Sequence, residues 1–237
     1  MGLFRQLLFC AAVVGLLVGG AITVVQQFGT VPLIQQGEVF EEAAHAATPH
    51  EHAAVAAPAG HVHPAAAWEP KGGIERTGYT ALANILTASG FALMLAALFS
   101  LRGDAVGWRE GLFWGLGGFA AFSLAPGLGL PPELPGVPAA ALEARQLWWV
   151  ATAAATGAGL LLLAFRRAPW AAALAIALFA APHIFGAPQM GEFHTNVPEA
   201  LSRRFVAAAM TTSLLFWSLL GIATALVLAR WFPVREG

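Results

Sequence analysis

The chain has 237 residues, 58% of them hydrophobic and 11% charged, with 12 Lys/Arg against 13 Asp/Glu. A soluble domain carries about 25% charge, so composition alone argues against a water-soluble globular fold. The near-zero net charge and the lack of any basic stripe leave no nucleic-acid partner to expect.

Six runs without a charged residue follow one another, at 7–25, 78–101, 111–132, 146–165, 168–191 and 205–229. Each is near or above the ~20 residues with which an α-helix crosses a ~30 Å hydrocarbon core. The runs are continuous rather than alternating, which fits helices and not an outer-membrane barrel. The expected fold is all-α: a polytopic helical membrane protein of about six transmembrane helices, one integral domain over 1–237. A long His-rich outer loop, 27–78, joins its first two spans.

The first run is longer than the ~7–15 residues of a signal-peptide core, and "GGAITVVQQF" offers no small-x-small cleavage site, so it reads as a retained anchor. Gly15 and Gly19 on it form a small-xxx-small pair that lets two helices approach. Cys10 is the single cysteine, which rules out a disulfide or a CxxC pair.

The loop opens with "EVFEEAAH", passes through "HEHAAVAAPAGHVH" and closes with "WEPKGGIERTGYT". Its middle lacks the aliphatic pattern of a packed core and is expected to be loosely ordered. Five of the seven histidines fall here: His45, His50, His52, His61 and His63. Two His-x-His pairs in flexible chain can chelate a divalent transition metal through neutral imidazole, and Glu38, Glu41, Glu42 and Glu51 can complete a shell. Ordering such a segment costs chain entropy, which suits weak, reversible capture. Capture through imidazole should weaken as pH falls through ~6.5.

Thr80, Asn84 and Thr87 share one face of the second run, a pattern that suits interhelical hydrogen bonding better than an ion path. The third run carries a second small pair, Gly111 and Gly115. It then enters "LAPGLGLPPELPGVP", where Pro126, Pro131, Pro132 and Glu133 are expected to end the helix from about Pro126 onward. If that run only dips into the bilayer, five spans remain. The fifth run ends in "APHIFGAPQMGEFH". Pro182 and Pro188 bracket His183 and Gly186, and such a break is tolerated at membrane depth where it lines a cavity. His183 is the one histidine in any of the six runs, which makes it a functional candidate. Met190, Glu192 and His194 follow it as further candidate ligands.

With the N-terminus in the cytoplasm, seven of the twelve Lys/Arg lie inside and five outside, a mild positive-inside bias. Ten of the thirteen acids then fall outside, giving an outer face that concentrates cations. Both termini are expected inside and the His-rich loop outside, with Trp68, Trp148 and Trp149 near the outer interface. No GxxxxGK[ST], GxGxxG after a strand, HExxH or Ser/His/Asp arrangement occurs, so no enzyme is expected and no prosthetic group is implied.

The stretches "RQLLFCAAVVGLLVGGAITVVQQ", "WEPKGGIERTGYT", "GLFWGLGGFAAFSLAPGLGLPPELPG", "RQLWWVATAAATGAGL" and "PHIFGAPQ", in this order, resemble the CbtA family of probable cobalt transporter subunits of bacteria. The resemblance covers nearly the whole chain. It picks out Glu38, Glu41, Trp68, Pro70, Arg76, Thr77, Pro126, Pro131, Pro132, Glu133, Pro135, His183, Gly186 and Pro188. Met190 stands where the family motif tends to carry proline. The resemblance implies Co²⁺ import across the cytoplasmic membrane in support of cobalamin synthesis, with CbtB, a small single-span histidine-bearing protein, as partner. Donor chemistry alone fits Ni²⁺ or Zn²⁺ equally well. A non-transporting membrane subunit that binds metal or supports a partner permease is the rival expectation.

Overall fold

The computed structural model describes residues 2–47, 70–102, 106–191 and 194–232. Among them every regular element is helical. Hydrocarbon offers the backbone no hydrogen-bond partner, so an apolar run that enters it closes its own N–H and C=O groups as a helix. Five such helices are long and apolar enough to cross a membrane: α1 (Leu3–Phe28), α3 (Ile74–Arg102), the composite third span Trp108–Gly129, α6 (Leu142–Phe165) and α8 (Glu199–Trp231). A shorter apolar helix, α7 (Pro169–Phe185), pairs with α6.

The short member of the set is thus the fifth run, not the third. The third span runs through Pro126 instead of stopping there. It is built from α4 (Trp108–Phe119), a π-helical turn over Ala120–Leu124 and α5 (Ala125–Gly129). The wider turn before Pro126 places the proline in the first turn of α5, where its missing N–H costs no intrahelical bond. The helix ends three residues later, ahead of Pro131 and Pro132. The fifth run also departs from expectation. Pro182 lies within α7, and the helix stops at Gly186, whose φ of +83° only glycine adopts without strain.

The first connection is not irregular throughout. Val31–Ala47 folds as α2, while the middle of the His-rich loop lies outside the described residues. Leu33, Ile34 and Phe40 on α2 meet Leu134, Val137, Val197, Leu201 and Phe205 in a small apolar cluster. This cluster is separate from the main core, in which Val14, Val18, Ala92, Leu95, Trp217 and Leu220 are buried.

Glycine sets how closely the core helices cross. A Cβ on Gly19 would fall 2.5 Å from Ile85 Cα, and one on Gly15 would fall 1.9 Å from Ser89 Oγ, so α1 and α3 pack backbone to backbone. Gly111 and Gly115 do the same for α4 against α8, with Gly221 facing them: its Cβ would lie 2.1 Å from Gly111 O. Both small-xxx-small pairs therefore act as the sequence implies. Asn84 Nδ2 on α3 donates to Thr23 Oγ1 at 3.0 Å and Gln26 Oε1 at 2.7 Å on α1, which is the interhelical bonding expected of that face. Thr80 Oγ1 donates to its own helix at Arg76 O, and Thr87 is exposed.

Trp217 sits at mid-span, stacked on Phe122 (5.4 Å, 15°) and tilted against Phe91 (4.6 Å). A Cβ on Gly118 would fall 2.2 Å from its ring. The result is a four-helix core of α1, α3, α4 and α8, with the α6–α7 hairpin leaning on the π turn and α5.

Candidate functional site

Contacts between distant segments bring one set of helix ends together. Arg76, in the first turn of α3, grips Glu38 of α2 through both guanidinium nitrogens; its Nη1 donates to Oε2 at 3.0 Å, and its Nη2 donates to Oε1. A Cβ on Gly37 would lie 3.2 Å from Pro135 Cδ, and one on Gly136 would lie 3.2 Å from Glu41 N and from Val197 Cγ2. Thr195 Oγ1 donates to Gly136 O at 2.8 Å. These links hold α2, the 130–141 connection and the entry to α8 as a cap over one end of the bundle.

Beneath the cap, three of the quoted stretches converge on Trp148. Its indole Nε1 donates to Pro182 O at 3.2 Å, and its ring lies edge-on to His183 with centroids 5.9 Å apart. The same ring presses on Gly129, where an added Cβ would come within 2.3 Å of Cη2 and 2.9 Å of Ala187 Cβ. So "GLGLPP", "RQLWW" and "PHIFGAP" meet because only a hydrogen at Gly129 leaves room for the indole. One turn earlier on α6, Arg145 Nη2 donates to Glu133 Oε2 at 2.8 Å, which ties the post-break loop to the helix. Next to this pair lies a cavity of about 610 Å³, lined by Phe122, Ser123, Pro126, Pro131, Pro132, Arg145, Gln146, Trp149, Met210 and Ser213 among others.

The residues singled out as metal ligands are distributed as follows. His183, Met190 and His194 are all exposed. Glu38 is committed to Arg76, and Glu41 is half-buried on α2. His45 belongs to the last turn of α2, but its side chain is not among those described; His50, His52, His61, His63 and Glu192 lie outside the described residues. Among the described residues, no three His, Cys, Asp or Glu side chains gather in a way that could hold a metal ion. The break residues do come together: Pro126, Pro131 and Pro132 line the cavity, and Glu133 stands beside it, while Pro182 supplies the carbonyl that receives Trp148. Pro188 follows Gly186 in the extended segment that leaves α7.

Sequence reasoning assigned Trp148 and Trp149 to the membrane interface and gave Arg145, Gly129 and Thr195 no role. A signal was present at one of these: Gly129 stands between two leucines and before a double proline, where no helical pattern asks for glycine.

A family model described as "Probable cobalt transporter subunit (CbtA)" matches residues 4–229. No curated protein and no solved structure matches the chain. With the match running from the first turns of α1 nearly to the end of α8, over the helices, the cap and the Trp148 junction alike, the chain belongs to the CbtA family of probable cobalt transporter subunits.

Proposed function

We propose that this chain is the membrane-embedded subunit of a Co²⁺ importer in the bacterial cytoplasmic membrane, with the capped end facing outward and both termini inside. The observation that carries the reading is the family match over 4–229 on a bundle of apolar helices. The seven-to-five division of Lys/Arg supports the orientation. In this reading the loop histidines, with Glu41 and Glu192, gather the ion. They pass it toward the end of α7, where His183, Met190 and His194 are exposed. The family description of a subunit points to a partner. A small single-span histidine-bearing protein such as CbtB would complete the path, and the imported cobalt would serve cobalamin synthesis. Ni²⁺ and Zn²⁺ share the donor chemistry, so selectivity is part of what must be measured.

The test is radioactive cobalt uptake at limiting concentration, in cells with matched membrane levels of wild type and of His183→Ala. Uptake several-fold lower in the variant, and competition by Co²⁺ ahead of Ni²⁺ and Zn²⁺, are expected. Unchanged uptake would remove His183 from the path.

A second reading rests on a specific observation. Among the described residues no three-ligand cluster occurs, and the carboxylate beside the cavity, Glu133, is taken by Arg145. That favours a subunit that captures metal or holds a partner permease while the partner moves the ion. Proteoliposomes with this chain alone and with CbtB separate the two: flux with the pair makes the chain a working part, and no flux in either supports the binding role.

A further inference from the structure

The cavity beside Arg145 follows the gap between α6 and α8, which form no packed interface with each other; the third span is its back wall. It tracks α6 from Leu142 to Val150, roughly 12 Å at about 1.5 Å per residue. Leu142 and Val150 on its rim are 65% and 56% exposed. On a helix that crosses the bilayer, exposed side chains of this kind face hydrocarbon, so the cavity opens sideways into lipid.

Its lining is mostly apolar, and its strongest polar group is a cation at the end nearest the membrane surface. Glu133 takes Nη2 of Arg145, Nε is enclosed without an acceptor, and Nη1 has no partner among the described residues while remaining accessible. The charged groups at this wall are Arg145 and the Glu133 carboxylate already paired with it, which leaves no free carboxylate to hold a divalent cation. A free phosphate would leave the apolar walls uncovered. A partner helix would cover the apolar walls yet bring no anion to Arg145 Nη1, and it stands as the overturning outcome of the test.

We propose that the cavity holds one acyl chain of an anionic phospholipid whose phosphate oxygens accept from Arg145 Nη1. Nη1 is the edge of the guanidinium left open, and a charge-assisted N–H···O bond from it to a phosphate oxygen is stronger than a neutral one. The flat face of Trp149 and the flexible thioether of Met210 line the chain's path.

The test uses detergent-purified full-length protein. Native mass spectrometry of the wild type should show one retained phospholipid. Added phosphatidylglycerol should raise the unfolding temperature more than phosphatidylcholine, and glycerol 3-phosphate should not raise it. Arg145→Gln should weaken phosphatidylglycerol binding about tenfold or more, in line with loss of a charge-assisted hydrogen bond. Val150→Trp, at an exposed rim position, should exclude the chain while leaving Arg145 in place. Equal responses to the two lipids, a response to glycerol 3-phosphate matching that of the lipid, undiminished lipid retention by Val150→Trp, or a dimer in place of bound lipid would each overturn the proposal.

Discussion

Glu38 and Arg76 meet across the join between the cap and the second span, with side chains 31% and 37% exposed. Water reaches the pair, so its coupling is expected at ~1 kcal/mol or less despite the two-pronged geometry. A double-mutant cycle over Glu38→Gln and Arg76→Gln, read by thermal unfolding in detergent, should return a value of that size. A coupling near zero would mean that the apolar cluster around Leu33 and Leu201 alone holds the cap. Gly129 is subject to a harder constraint. Gly129→Ala drives a methyl into the Trp148 indole and should cost about 1–3 kcal/mol. Combining it with Trp148→Phe should recover most of that loss, less about 1 kcal/mol for the bond to Pro182 O. Neither interaction was legible beforehand. A charge pair 38 residues apart has no local signature, and a glycine beside prolines reads as a turn until the ring that presses on it is known.

The helices divide by what sets their distance. α4 and α8 touch through Gly111, Gly115 and Gly221, where the colliding atoms are backbone and cannot rotate away. Gly221→Ala should therefore separate the two helices and cost at least 1–3 kcal/mol. Gly90→Ala, where a Cβ meets nothing within 4 Å, should be neutral or stabilising by up to ~1 kcal/mol. Unfolding midpoints of the two variants check the contrast. Helix existence was readable from the charge-free runs, because hydrocarbon permits little else, and both glycine pairs announced their crossings. The ends were less readable. Pro126 looked like a stop, but the π turn in front of it absorbs the missing N–H, and only the packing of Phe122 against Trp217 shows why the wider turn falls there. The helix α2 was missed for another reason: its apolar residues at 33, 34 and 40 were read as part of an acidic loop rather than as a helical face.

Among the described residues, α2, the 130–141 connection and the entry to α8 gather over one end of the glycine-tight bundle. If α7 crosses despite its length, reporters on either side of it must lie across the bilayer from each other. With Cys10 replaced by serine, single cysteines at positions 36, 137 and 195 should react with an impermeant maleimide from one side. Cysteines at 108 and 167 should react from the other. Equal labelling of 167 and 195 from one face would show that α7 does not cross. Its 17 residues span about 25 Å against a hydrocarbon layer of ~30 Å. Among the described elements α7 packs chiefly on α6, so on crossing it would leave the bilayer rather than a neighbouring helix to absorb the difference. A span too short for its membrane thins the lipid beside it. If α7 does cross, headgroup water would be drawn down toward Pro182 and His183, the imidazole would lie at the bottom of a dimple in the membrane, and the depth of that dimple would follow the acyl-chain length of the cell.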